Sequence, residues 1–299
     1  MLPSNKQSDY GYIDPVQFND ICSKIRATLQ ANDLLWWQPS EPSILAACED
    51  PQTLLHYKEQ STDRLFPLQQ TNQMWFEYML LSSIKAGKNI KGLYGITESF
   101  RDNENKVKRH EARIMNGRFN MFEFEMVGNF EAFLELFIGV LLDLGIKEQH
   151  IKPISYQYAC EILGKDPSSY ILNDDDEVWL NSRVAPCVLL TYFPERTNPF
   201  WNMRTNPLTG NAYKCDLILG GMECAGGAER STDVAMQERR FNSLPQYKEK
   251  LYAEFGKDRV LKELDYYFSL LTPDSIRSGC GIGLSRLAVG LDRYKHQTK

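Results

Sequence analysis

"AYKCDLILGGMECAGGAER", Ala212 to Arg230, is the stretch whose reading decides the fold. Its apolar runs read as strands, and Gly220-Gly221 reads as a turn between them. One carboxylate, Asp216, lies at the end of a strand, and a second, Glu223, lies seven positions on, beyond the glycines. Strands that carry hairpins while helices separate them point to an α+β fold with an antiparallel sheet rather than a doubly wound parallel one.

The rest of the chain agrees. "GLYGITESFR" (Gly92–Arg101) and "RFNMFEFEMV" (Arg118–Val127) alternate apolar and polar residues like two strands of a hairpin, joined by a charged stretch over 102–117. Asp14 followed by Pro15 opens a helix that runs to Asn32. "DLLWWQPSEPSIL" reads as a strand ending at prolines, Gln73 to Gly87 as a helix, and Phe130 to Ile146 as a long core helix. Glu131, Glu135 and Asp143 interrupt that last apolar segment at near-helical spacing, giving it one wet face and excluding a membrane span. A charged helix is expected from Asp233 onward. "APCVLLTYFP" (Ala185–Pro194) is a further strand, and the acidic run Asn173–Glu177 reads as a solvated helix cap or loop without chemistry. At 299 residues without low-complexity tracts, the chain is expected to be one large domain.

The totals exclude some functions. A formal charge of −5 gives no whole-chain attraction to polyanions, so nucleic-acid binding would need a local basic patch. Seven cysteines with no CxxC pair argue against a disulfide framework and a structural zinc site, and for a reducing, cytoplasmic compartment. The N-terminus lacks the charged-then-apolar pattern of a signal peptide.

Three groups of residues can carry chemistry. The hairpin places Arg101 at the end of one strand, Arg109 and His110 in the loop and Phe119 at the start of the next strand. Guanidinium forks with an aromatic face describe a nucleotide clamp, although a salt-bridged hairpin over a core Phe has the same composition. Asp216 and Glu223 suit a hard cation such as Mg2+, which takes one or two carboxylates plus substrate phosphates, and Arg230 follows as a nearby cation. "SGCGIGLSRLAVGLDRY" (Ser278–Tyr294) sets Gly279, Gly281 and Gly283 before a helix carrying Arg286. It matches neither a phosphate-binding loop with its lysine nor a dinucleotide fingerprint, but its glycines let a ligand approach while Arg286 points back at it.

Taken in order, a strand ending in "EP", "FR" with downstream "RH" and "FNMFEFE", "D-x6-E", and "GIGLSR" resemble the three signature motifs of the class II aminoacyl-tRNA synthetases. The resemblance covers most of the chain and is strongest with the aspartyl/asparaginyl branch. Pro186 to Arg230 is similar nearly position by position to the asparaginyl enzymes. The resemblance implies ATP and Mg2+. It places Arg101 on the α-phosphate and the reacting carboxylate, Arg109 and His110 on the β- and γ-phosphates, and Phe119 on adenine. Asp216 and Glu223 fall on the metal, and Gly283 and Arg286 at the triphosphate. Gln73, Glu77, Gly227 and Arg230 fall on the amino acid, with Glu49 or Asp50 near its amino group. Pro42 falls in the first motif, which implies a homodimer. Activation there is adenylation: a carboxylate oxygen attacks the α-phosphorus and pyrophosphate leaves, so the protein need only position and stabilise charge.

A Glu77/Arg230 pair suits either a substrate amide or the α-ammonium and α-carboxylate of an aspartate bound in reverse, with its side-chain carboxylate then activated. Asn103 stands where the family has Glu, Arg118 where an acid is usual and Glu229 for a Gln, changes expected on the acceptor or substrate side. Only about forty residues precede the first motif, too few for an anticodon-binding barrel. Shortened relatives of this branch are AMP-forming asparagine synthetases. The expectation is therefore aspartate adenylation and transfer to ammonia. The alternatives are aspartyl or asparaginyl transfer to tRNA or another small-molecule or protein acceptor, and a non-catalytic amino-acid- or tRNA-binding paralogue. A basic face of Lys106, Lys108 and Arg113 would favour tRNA.

Overall fold

The computed structural model describes residues 13–45, 53–102 and 118–298. Helix α1 (Pro15–Ala31) starts as expected, Asp14 accepting hydrogen bonds from the Val16 and Gln17 amides at 2.9 and 3.1 Å. It leads into β1 (Leu35–Trp36). The strand expected from Asp33 to the prolines is thus only a short edge, pairing in parallel with β4 (Gly92–Phe100). Between them lie a separate ribbon, β2 (His56–Lys58) with β3 (Leu65–Pro67), and helix α2 (Gln73–Lys85).

The hairpin of β4 with β5 (Arg118–Val127) is present. After it come α3 (Phe130–Asp143), β6 (Ile151–Ser155), α4 (Tyr156–Ile162) and α5 (Asp174–Arg183). The strands β7 (Cys187–Phe193), β8 (Ala212–Leu219) and β9 (Glu223–Arg230) follow. The charged stretch after Asp233 is three helices: α6 (Val234–Ser243), α7 (Pro245–Phe255) and α8 (Lys257–Leu270). A proline cannot extend the hydrogen-bonded ladder of α6, and Gly256 at φ 84° ends α7. Strand β10 (Arg277–Gly283) and helix α9 (Leu284–Gln297) complete the chain.

Eight strands form one sheet in the order β1-β4-β5-β10-β9-β8-β7-β6. Its two edge pairs, β1 with β4 and β6 with β7, are parallel, and every pairing between is antiparallel. Gly220 and Gly221 make the tight β8–β9 turn with φ 63° and 80°, values a Cβ would disfavour. One face of the sheet is apolar, and Phe122, Phe124, Cys280 and Ile282 pack there against α1, α3 and α9. Removing Phe133 of α3, wholly buried in this layer, would cost roughly 3–5 kcal/mol.

Among the described residues the second face is covered at its ends. Helices α2, α7 and α8 build an aromatic cluster around Trp201 at one end, and α4 and α5 cover Val188, Leu190 and Ile218 at the other. Between them no described helix lies over the sheet, and Gly226, Gly281 and Gly283 are partly exposed at its centre. No helix among the described residues is long and apolar enough to cross a membrane.

Candidate active site

The open strip between the two covers is a trough with a floor of small residues. Gly281 pairs with Gly226 on one side and Glu123 on the other, and Gly279 with Ala228 and Glu125. Alternation along β5 and β9 therefore raises Phe119, Glu123 and Glu125 beside the floor on one flank and Arg230 on the other.

A break in that alternation explains the acidic pair. Leu217 pairs with Ala225 but Ile218 pairs with Glu223, so Cys224 is an extra residue that faces the apolar layer. The bulge flips the phase and brings Glu223 onto the face of Asp216. A Cβ built on Gly226 would lie 3.1 Å from Asp216 Oδ1 and 3.6 Å from Glu223 Oε1, so both carboxylates converge above this glycine. That donor set fits one Mg2+ shared with substrate oxygens. Among the described residues no group of three or more acids, histidines or cysteines is poised as a complete metal cage.

Each acid also has a protein cation. Lys214 Nζ is 2.7 Å from Asp216 Oδ2. Arg286, in the first turn of α9, donates to the Glu223 carbonyl at 2.9 Å and stands 3.7 Å from its Oε2. Glu177 of α5 accepts from the Glu223 amide at 2.9 Å. Burial first, and then the charge of Glu223, push the Glu177 carboxyl up to about 8. The acidic run expected to be inert does cap α5, through a box between Asn173 and Asp176, but its last member reaches the acidic pair. Nothing in the sequence spacing signals that contact.

On the other flank the Arg101 guanidinium carbon lies 5.3 Å from the centroid of the Phe119 ring, a cation–π contact that joins the two hairpin residues. Arg109, His110, Asn103, Lys106, Lys108, Arg113, Glu49 and Asp50 lie outside the described residues. Pro42 follows β1 and leads into Ile44 and Leu45, which are buried under α2 and α8.

The residues expected on the substrate side depart from expectation in four places. Glu77 is wholly buried with its oxygens filled by the chain itself. Gln73 and Asn202 donate to Oε1 at 2.9 and 2.8 Å, and Tyr267 and Arg277 Nη2 donate to Oε2 at 2.9 and 2.6 Å. Burial opposes its charge, but Arg277 and Arg230 outweigh it and hold its pKa below the ordinary value. Glu77 thus anchors Arg277 instead of presenting an edge to a ligand, and Gln73 is turned onto Glu77 with it. Second, Arg230 forms a two-pronged pair with Glu125, both contacts 3.2 Å, and stands 3.9 Å from Glu77. Burial pushes the Glu125 carboxyl up to about 7 against the pull of Arg230. Third, Gly227 faces helix α3, where a Cβ would strike Phe133 Cζ at 2.4 Å, so its smallness serves packing. Fourth, Glu229 also points to that opposite face, pairing with Arg204 at 2.6 Å and capping α3 through the Phe130 amide at 3.0 Å. Its replacement of Gln is structural and not on the substrate side. Gly283 is the N-cap of α9, and a Cβ there would meet the Cys224 carbonyl at an ordinary 3.5 Å.

An open antiparallel strip floored by glycine, with arginines at both flanks and two acids on adjacent strands, defines the class II aminoacyl-tRNA synthetase catalytic core. The family model described as tRNA synthetases class II (D, K and N) matches residues 18–296, and the chain belongs to that family. Asparaginyl-tRNA synthetase from Pyrococcus horikoshii, complexed with asparaginyl-adenylate, superposes with a TM-score of 0.68 at 17% identity over 92% of this chain and 64% of its own. Aspartyl tRNA synthetase from Entamoeba histolytica gives 0.64 at 17% identity, covering 93% of this chain and 55% of its own. The chain thus spans less than two thirds of the length of these enzymes. No curated protein matches the sequence.

Proposed function

We propose that the trough is an AMP-forming activation site that adenylates aspartate and passes the acyl group to ammonia, giving asparagine. The observation that carries this reading is the buried Arg230–Glu125 pair beside the floor of the trough. A guanidinium and a carboxylate side by side match the α-carboxylate and α-ammonium of one amino-acid head group, whereas a side-chain carboxylate alone would use only the arginine. An aspartate held by that head group extends its β-carboxylate along the floor toward Arg101. Glu125 takes the place expected of Glu77. Burial opposes the charge of the Glu125 carboxylate while Arg230 favours it, and an arriving α-ammonium would favour it further.

Phe119 and Arg101 then receive the adenine and the α-phosphate, and Arg286 the end of the triphosphate. Asp216 and Glu223 would hold Mg2+, which supplies charge neutralisation of the phosphates when bound. The β-carboxylate oxygen forms a bond to the α-phosphorus as the bond to the bridging oxygen breaks and pyrophosphate leaves. Ammonia nitrogen then attacks the acyl carbon, AMP departs with the shared oxygen, and one proton is released. The second reading, transfer to tRNA, is supported by the family match. The charge of −5 favours the small acceptor, because a polyanion gains nothing from the chain as a whole. The exposed edge strand β1, with Leu35 and Trp36 beside a depression of about 510 Å³ between Gln30 and Lys91, is the face on which the proposed homodimer forms.

The test is aspartate-dependent pyrophosphate exchange, followed by aspartate labelled with 18O in its β-carboxylate. The expected result is label in AMP and free asparagine from ammonia. Exchange supported by neither aspartate nor asparagine rejects activation altogether, and label in AMP only from the α-carboxylate rejects the reversed head group. Arg286→Ala should lower exchange by roughly 10²–10³-fold.

A further inference from the structure

Lys214 is a cation that no expectation from the motifs required. It pairs across β9 with Ala228, so it rises on the open face of the sheet between the acidic pair and Arg230. Its ammonium sits 2.7 Å from Asp216 Oδ2 and 4.0 Å from the centroid of the Phe193 ring, a cation–π contact that helps fix its position. Asp216 is buried, and its other oxygen, Oδ1, faces the point above Gly226 that it shares with Glu223. The two oxygens of one carboxylate therefore have different work: Oδ2 is held by Lys214 and Oδ1 is aimed at the place a cation would take. Glu223 has a looser counter-charge in Arg286, 3.7 Å from its Oε2. Each acid of the pair thus already has a protein cation beside it.

We propose that Lys214 is a built-in counter-cation that keeps the acidic pair from taking up a free divalent ion, so that the pair fills only with a metal delivered on a nucleoside triphosphate. The inference rests on the reading of Asp216 and Glu223 as the divalent-cation ligands. A resident ammonium blocks two-oxygen chelation by Asp216 and repels a doubly charged ion at close range. The phosphates of a nucleotide remove that disadvantage, because they bring compensating negative charge and draw Arg286 off Glu223.

The experiment is a Mn2+ titration of the full chain, read by the loss of the free-ion electron paramagnetic resonance signal, with no amino acid and no turnover. Without nucleotide, Lys214→Met and Lys214→Gln should each bind Mn2+ at least tenfold more tightly than the wild type, the usual weight of one charge-assisted hydrogen bond. Lys214→Arg, which keeps the charge, should bind as weakly as the wild type. Adding Asp216→Asn to Lys214→Met should abolish the gain. With a non-hydrolysable ATP analogue, which removes the free-ion signal by itself, uptake by the protein is read from the enhancement of water-proton relaxation by the Mn2+–nucleotide complex, and wild type and both neutral variants should converge to within about threefold. Thermal melts of both neutral variants establish that the folded protein is being titrated. If either neutral variant, folded, binds Mn2+ with wild-type affinity, or if the gain survives Asp216→Asn, the counter-cation role is wrong while the metal reading stands. If wild type and variants alike take up no Mn2+ even with the triphosphate, the metal reading itself is wrong and this inference goes with it.

Discussion

Glu77→Gln separates a structural acid from a substrate contact. In the folded chain Oε1 accepts from two amides and Oε2 from Tyr267 and twice from Arg277, at 2.6 and 2.9 Å. A glutamine has one acceptor oxygen and one donor nitrogen. Whichever way it turns, its NH2 meets donors: the Gln73 and Asn202 amides in one orientation, or Arg277 and Tyr267 in the other. Arg277 is also wholly buried and loses the charge nearest to it. Breaking one side of a buried ion pair costs about 3–5 kcal/mol. For a domain of this size that corresponds to a fall in Tm of roughly 10 °C. Circular-dichroism melts of Glu77→Gln, Arg277→Met and the double variant give the measurement. The double variant should recover part of the loss, since removing both charges leaves no buried ion unpaired. A Glu77→Gln protein that melts within about 2 °C of the wild type, yet shows a raised KM for the amino acid, would refute this account and return Glu77 to the substrate.

The remaining predictions concern the floor and its acids. Glu125 has a folded-state pKa raised to about 7 from an ordinary 4.5, so the folded chain holds a proton there that the unfolded chain has lost. Stability from this group is therefore present below about pH 4.5 and is lost as pH rises to about 7, by up to roughly 3 kcal/mol. Urea unfolding across that range should show Glu125→Gln with a flatter profile than the wild type, and an unchanged slope would contradict the assignment. Gly279→Ala should destabilise by about 1–3 kcal/mol, because its Cβ would fall 1.8 Å from Glu125 Oε2 and 2.7 Å from the Phe124 carbonyl oxygen. Gly281→Ala has nothing nearer than 3.6 Å, so it should melt like the wild type while narrowing the floor and lowering ATP-dependent exchange. Full activity in that variant would mean that no ligand crosses the floor there.

Much of this architecture is legible from local pattern. The β4–β5 hairpin shows in two-residue alternation, and the β8–β9 hairpin in a Gly-Gly pair that only left-handed backbone explains. Asp216 and Glu223 are readable as a pair, but the bulge that puts them on one face is not, because Cys224 is compatible with either side of the sheet. The charge partners are hidden for a different reason. Arg277 lies 200 positions from Glu77, and Arg230 lies 105 from Glu125. Sequence spacing has no reach over such distances, so Glu77 looked like a ligand contact when its acceptors were already taken. Gly227 and Glu229 misled through alternation alone: one residue of phase decides whether a side chain on β9 meets the trough or helix α3.

That single residue of phase also explains why the trough can be so highly charged without collapsing the core. Beyond the bulge, the even-numbered positions of β9, Gly226, Ala228 and Arg230, face the trough, and the odd positions 225, 227 and 229 face the helical layer. The floor must be small because the charged side chains of the neighbouring strands lean over it: Glu125 fills the space a Gly279 side chain would need. A larger residue on the floor would force Glu125 away from Arg230 and leave the buried guanidinium facing Glu77 at 3.9 Å, an acid already paired with Arg277. Small residues in the floor and paired charges in the walls are thus one requirement, set by the cost of stranding a buried ion. Any sequence that keeps Arg230 in this position is bound to keep a glycine at 279 or to give up the Glu125 partner that makes the arginine tolerable there.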